Sequence, residues 1–386
     1  MNNLRRLFSL CTLAIAPLAL FAKQDGAKPS PAKVYRAYVG TYTGKTGSKG
    51  IYEFNFDAAT GKMSAVELAA ESEAPSWVVV HPNGKFLYAA NEASKDSAVS
   101  AFAIEPKTGK LTLLNKLPAL GEDPCYLSFD RTGKFLFAAN YSSGDVVVFP
   151  LLPDGRLGEH TAVQKNTGTL GPNKQRQEAP HAHWIRSTDD NRTVYVSDLG
   201  LDHVLGYRFD SAKGSLTPAG ATESAELTPG TGPRHVAFSK NRKFMYVLGE
   251  INSTVTVFAK EPESFRTIQS VSTLPAGFSG RNDTAEIEMH PNGKFLYASN
   301  RGHDSIAVYA IDPDKGMLKQ VADVPTGGKE PRNFVIDPSG NFLLAENQNS
   351  DTIVEFRIDP GTGKLTPAGE TLSVPSPVCI AFLAVK

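Results

Sequence analysis

Apolar and polar residues alternate in short runs along most of this 386-residue chain. The runs follow a period of two and are only four to eight residues long, which predicts strands and not helices. Trp77-Val78-Val79-Val80 is a first apolar run, and a Pro-Asn-Gly turn leads into a second, Phe86 to Ala90. A loop follows, then the β-branched and aromatic run Ala98-Val99-Ser100-Ala101-Phe102-Ala103-Ile104. Lys107-Thr108-Gly109-Lys110-Leu111 turns the chain into a fourth run. Four short strands punctuated by Gly, Pro and Asn predict one antiparallel unit of about 50 residues.

The unit is copied. Gly84-Lys85-Phe86-Leu87-Tyr88-Ala89-Ala90-Asn91 returns as Gly133-Lys134-Phe135-Leu136-Phe137-Ala138-Ala139-Asn140 and as Gly293-Lys294-Phe295-Leu296-Tyr297-Ala298-Ser299-Asn300. Aligning Phe86, Phe135, Val194, Phe244, Phe295 and Phe342 gives intervals of 49, 59, 50, 51 and 47. The long interval holds an insertion near Gln164–Glu178. A degenerate earlier copy, Tyr38-Val39-Gly40-Thr41-Tyr42, brings the number of units to seven between Val34 and Lys386. The hairpin turn recurs in step, for example as Thr60-Gly61-Lys62-Met63 and Thr362-Gly363-Lys364-Leu365. Four strands per unit of this length predict an all-β, seven-bladed β-propeller with four-stranded antiparallel blades. An open solenoid and a two-sheet sandwich are the competing architectures. The first unit lacks an innermost strand, and Pro375-Ser376-Pro377-Val378-Cys379-Ile380-Ala381-Phe382 at the C-terminus matches one. That segment is expected to complete blade one and leave no open edge.

Forty basic residues balance forty acidic ones. No basic stripe is visible, so a nucleic-acid partner is not expected. Residues 1–22 read as a signal peptide, with Arg5 and Arg6 before the apolar stretch Leu7–Phe21, which is too short to span a bilayer. Cleavage after Ala22 would leave a linker over 23–33, the propeller over 34–386, no stable membrane insertion, and a periplasmic or secreted protein, expected to be monomeric. Cys125 and Cys379 fall in innermost strands of blades three and one. Those blades are not neighbours, so both cysteines are expected to stay unpaired and buried.

Blade geometry picks out candidate functional positions. The innermost strand and its neighbour run antiparallel, so the start of the first and the end of the second share one mouth of the central channel. The strand starts carry His181, His183, Arg234, His235, Glu286 and Arg332, and the strand ends add Asp198, Glu250 and Arg301. Three arginines in one cavity suit an anionic substrate, because guanidinium binds carboxylate or phosphate bidentately. Histidine and glutamate beside them suit acid–base chemistry. The competing reading is a solvated channel whose charges pair with one another. His181-x-His183 has metal-ligand spacing, but no third ligand is evident, so neither metal nor other cofactor is expected. No nucleophile elbow, Walker loop or dinucleotide fingerprint appears. His81 and His290 read as turn residues at the opposite mouth.

Taken together, the seven repeats, Tyr38-Val39-Gly40-Thr41-Tyr42-Thr43, Pro180-His181-Ala182-His183, Gly232-Pro233-Arg234-His235 and Gly249-Glu250-Ile251-Asn252-Ser253-Thr254 resemble the seven-bladed propeller lactonase family. That family includes propeller-type 6-phosphogluconolactonases and the fungal carboxymuconate lactonizing enzyme. The resemblance spans Val34 to Lys386. It implies lactone chemistry on a sugar acid without a metal, with His183, Arg234, Glu250 and Arg301 as catalytic residues. His183 or Glu250 would activate water, and Arg234 and Arg301 would stabilise the oxyanion or hold the acid group. His181, Asp198, His235, Glu286 and Arg332 would bind substrate.

An export signal sits uneasily with a phosphorylated substrate made inside the cell. A non-phosphorylated aldonolactone is therefore an equal expectation. Two other readings stay open. One is muconate-type cycloisomerisation with the same arginines. The other is a non-enzymatic binding propeller, since Tyr195-Val196-Ser197-Asp198 resembles the repeats of surface-layer propellers.

Overall fold

The repeats of the sequence become seven antiparallel sheets in the computed structural model, which describes residues 34–385 apart from 221, 222 and 263. The expected signal peptide and linker lie outside the described residues. Blade two shows the basic unit: Pro75–Val80 innermost, then Phe86–Asn91, Ala98–Ile104 and Leu111–Pro118 outermost. Blade one is closed as expected. Its strands Val34–Thr41, Gly50–Asp57 and Glu67–Glu71 are joined by the C-terminal Pro377–Ala384, which pairs antiparallel with Val34–Thr41. Blade four departs from the plan, because the short strand Ala225–Glu226 also pairs with its third strand, His203–Asp210.

Seven apolar clusters hold the ring together, and each straddles two neighbouring blades. Burial of both faces explains why middle strands such as Phe86–Asn91 and Phe135–Asn140 are nearly continuous in Val, Ala, Phe, Leu and Tyr, whereas outermost strands such as Leu111–Pro118 are largely exposed. The two sequence signatures meet at these seams. Tyr38, Tyr88 and Tyr297 each donate a hydroxyl hydrogen bond to the turn glycine carbonyl of a neighbouring blade: Gly109 at 2.9 Å, Gly155 at 2.8 Å and Gly363 at 2.8 Å. The aligned phenylalanine lies over the same turn. A Cβ on Gly155 would come within 2.3 Å of the Phe86 ring, and one on Gly363 within 2.5 Å of Phe295. Both glycines also have positive φ, 86° and 72°, so no other residue fits these turns without strain. The asparagine that ends each signature is a bolt. Asn91, Asn140, Asn300 and Asn347 donate to the carbonyls of Glu73, Ala119, Thr273 and Thr326, each in the crossover from the preceding blade.

The feature that positions the site is a bulge. At the start of every innermost strand the register with the second strand slips. The residues left out of the pairing are Ser76, Cys125, His183, Arg234 with His235, Ala285 with Glu286, Arg332 and Val378. A proline opens five of these strands, where the lack of an N–H costs no ladder hydrogen bond. Bulges re-aim side chains, and here they turn the start of each blade toward the channel axis.

Candidate active site

One channel mouth opens into a cavity of about 360 Å3, within the range of small-molecule sites. Its lining includes His183, Glu250, Arg301 and Arg332 from the predicted set. Glu250 is its electrostatic centre. This residue follows the second strand of blade five, Phe244–Gly249, and its backbone N–H bonds the carbonyl of Gly232 at 2.8 Å. Three guanidinium groups surround its carboxylate. Arg176 Nη2 donates to Oε1 at 2.5 Å, Arg301 Nη2 lies 3.1 Å from Oε1, and Arg234 Nε lies 3.0 Å from Oε2. Burial alone would raise the Glu250 pKa. Arg301, Arg234 and Arg176 outweigh it and hold the carboxyl at about 2.

Arg234 lies beneath the cavity floor and is 2% exposed. Its Nη1 donates to the carbonyl of Ala285. Burial and the neighbouring Arg301 and Arg332 lower its pKa to about 10, which leaves it charged at neutral pH. Arg301 donates from Nη2 to the carbonyl of Thr284 at 3.0 Å. Arg332 is the least restrained cavity arginine: its guanidinium sits 5.2 Å from the Tyr42 ring centroid and 3.9 Å from the Glu92 carboxylate.

His183 stands on its bulge among cations. Burial first, then Arg234, His235 and Arg332, push its pKa well below 6.5, so the imidazole is neutral at pH 7. Its Nδ1 is 3.7 Å from Cys125 Sγ. Cys125 also borders the cavity, although sequence placed it simply in the core. Burial raises the Cys125 thiol strongly, so it stays protonated and is no nucleophile. Cys379 is likewise free and buried.

His181, Asp198, His235 and Glu286 are not among the residues lining this cavity. His181 stacks on Tyr141 with centroids 4.5 Å apart, and its two nitrogens meet the Tyr141 carbonyl and Glu178 at 2.9 and 3.1 Å. It is thus occupied and shares no ligand position with His183. Among the described residues, no group of three His, Cys, Asp or Glu side chains is placed to hold a metal ion. Asp198 is fully buried and accepts hydrogen bonds from the backbone of His181 and Leu201 and from Asn166 Nδ2. The pair His235 and Glu286 lies deeper in the channel, joined at 2.9 Å, with Asn333 donating to the same carboxylate at 3.0 Å.

Below His183 the channel is filled. Trp77, Tyr126 and His235, from blades two, three and five, bring their ring centroids within 4.3 to 5.5 Å of one another. A second cavity beyond this plug is lined by Trp77, Tyr126, Glu286 and Glu288. His81 and His290 sit in their turns, each with Nε2 at a glycine carbonyl of the neighbouring blade, as expected.

Sequence reasoning missed Arg176, Tyr42, Arg281 and Asp283, which line the mouth, and passed over Glu92 and Tyr141, which follow second strands at this mouth as Glu250 does. Arg176 lies in the insertion that lengthens one repeat interval. That insertion was itself the available signal, since a loop entering an innermost strand must pass over this mouth.

A family model described as lactonase, 7-bladed beta-propeller, matches residues 36–382. The chain is 40% identical over 351 residues to a 6-phosphogluconolactonase of Bacillus subtilis, covering 90% of this chain and 98% of that protein. It is 34% identical over 306 residues to an uncharacterised protein of Staphylococcus saprophyticus, covering 78% of this chain and 84% of the other. Among solved structures, the periplasmic gluconolactonase of Pseudomonas aeruginosa superposes with a TM-score of 0.85 at 33% identity, covering 92% of this chain and 100% of that one.

Proposed function

The chain belongs to the seven-bladed β-propeller lactonase family and is a lactone-hydrolysing enzyme of the 6-phosphogluconolactonase type, and from that premise we propose that the ring opens in the Glu250 cavity with His183 as the base. The carrying observation is the contrast between the two acid–base candidates. Glu250 is tied up by three arginines, whereas His183 is neutral and borders the cavity. A neutral imidazole can take a proton from water, and the resulting hydroxide adds to the lactone carbonyl. Arg301 and Arg332 face the cavity and stabilise the tetrahedral oxyanion. The ring C–O bond then breaks, and His183 returns its proton to the leaving ring oxygen, giving the open hydroxy acid. Glu250 and Arg234 act as supports. Glu250 fixes Arg301, and Arg234 holds Glu250 from below. The relatives do not favour the cycloisomerase or the binding-propeller readings.

The substrate is read as a sugar-acid lactone. The cavity's positive charge favours a phosphorylated one. Export, supported by the apolar N-terminal stretch and the periplasmic relative, favours a non-phosphorylated one. No helix among the described residues is long and apolar enough to cross a membrane, and we read the protein as a monomer. The test is acid release from gluconolactone and 6-phosphogluconolactone, corrected for spontaneous hydrolysis, with wild type and His183→Ala. A general base contributes roughly 10²- to 10⁴-fold, so the variant should lose at least a hundredfold of the enzymatic rate while its melting temperature holds. Near-wild-type turnover would remove His183 from the chemistry.

A further inference from the structure

Arg176 is the one Glu250 partner that does not belong to a blade. It projects from the loop between Ala162–Lys165 and Ala182–Ser187. The loop is pinned on both sides of it. Asn166 is fully buried between Asp198 and Tyr207, at 2.7 and 2.6 Å. Gln177, 1% exposed, donates to the carbonyl of Leu199 at 2.9 Å and accepts from the backbone N–H of Asn173 at 3.1 Å. The Arg176 side chain, 34% exposed, extends over the mouth to Glu250 and Asp283, 2.5 and 3.3 Å away.

Neither carboxylate depends on Arg176. Glu250 keeps Arg234 and Arg301 if Arg176 leaves. Asp283 keeps Arg281, whose Nη2 lies 2.7 Å away. Stranding a buried charge is what makes an ion pair costly to break, and withdrawing Arg176 strands none. The mouth also carries spare positive charge. Four arginines and three carboxylates line the cavity, so its wall is net positive. A phosphate monoester, with roughly 1.5 to 2 negative charges at neutral pH, complements such a wall.

We infer that Arg176 is a transferable clamp, which leaves Glu250 for the anionic group of an incoming lactone and so selects charged over neutral substrates. This rests on the lactonase reading of the cavity. A guanidinium hydrogen-bonded to a charged partner is worth roughly 10- to 100-fold in binding. Arg176→Gln should therefore lower kcat/KM for 6-phosphogluconolactone about 30-fold, mainly through KM. That loss should be at least tenfold greater than the loss for gluconolactone. Arg176→Lys should recover part of it, which a purely structural role for the loop would not produce.

Calorimetric titration of the wild type and Arg176→Gln with 6-phosphogluconate and with gluconate provides a readout independent of turnover. Weakened binding of the phosphorylated acid alone identifies the phosphate as the clamped group. Equal weakening of both places Arg176 on the carboxylate, a group the intact lactone lacks, and overturns the inference. Unchanged binding of both, or equal kinetic losses on the two lactones, overturns the inference. If the wild type accelerates no lactone, the reading of the site falls, and the titration still decides whether Arg176 binds anions.

Discussion

Replacing Glu250 by Gln tests whether this carboxylate organises the mouth. The substitution keeps the shape and removes the charge that Arg176, Arg234 and Arg301 share. A carboxyl held at about 2 in place of its ordinary 4.5 contributes about 3 kcal/mol of stability at neutral pH. Breaking a buried ion pair from one side costs about 3–5 kcal/mol by a separate argument, so the two routes agree. Unfolding entropy of roughly 2 cal/mol/K per residue over about 350 residues converts 3 kcal/mol into about 4 °C. The sign with pH follows from the lowered pKa. The contribution is complete above the ordinary value and is lost as pH falls toward about 2. Thermal melts at pH 7 should therefore place the variant about 4 °C below wild type, with the gap narrowing steadily from pH 5 to pH 3. Equal melting at pH 7, or a gap that acid leaves unchanged, would refute the picture of a carboxylate clamped by three arginines.

Two further outcomes follow from the cavity floor. Because His183 is held well below its ordinary 6.5, the acid limb of kcat/KM should lie below pH 6.5, and a midpoint at or above 6.5 would exclude His183 as the base. Since burial keeps the Cys125 thiol protonated, thiol alkylating reagents should leave activity intact at pH 7, and stoichiometric labelling with loss of turnover would contradict that assignment.

Much of the fold was legible because a propeller repeats its instructions. Phe86, Tyr88 and Gly155 recur in other blades as one seam contact, so their spacing in the sequence reports a spacing in space. The closing strand was legible for the same reason, since Pro377–Ala384 resembles the innermost strands it joins. The site was only partly legible. Period-two logic places residues at a mouth, but the bulges reset which of them face the cavity. His183 therefore enters while His181, two residues earlier, turns into its loop against Tyr141. Strand geometry also does not say which residue of an inserted loop reaches the mouth, so the insertion marked the loop without marking Arg176.

The repeat marks its own exceptions, and Glu346 is one. Ala90, Ala139, Ser197 and Ser299 precede the closing residues Asn91, Asn140, Asp198 and Asn300 of their strands, as Glu346 precedes Asn347. Blade seven thus puts a carboxyl where those four blades put a methyl or a hydroxyl. The side chain is fully buried, and neither oxygen has a hydrogen-bond partner among the described residues. Burial first, then Glu286 and Glu288, raise its pKa well above 4.5, so the folded protein prefers it protonated. A raised carboxyl favours the fold at low pH and opposes it as pH climbs past the ordinary value. Glu346→Gln, which keeps the volume and cannot ionise, should match wild type near pH 4 and melt above it at pH 8. Every other titrating group is common to the two proteins, so the difference isolates this one. A variant that melts below wild type at pH 8 would show that Glu346 is charged and partnered, against the burial argument.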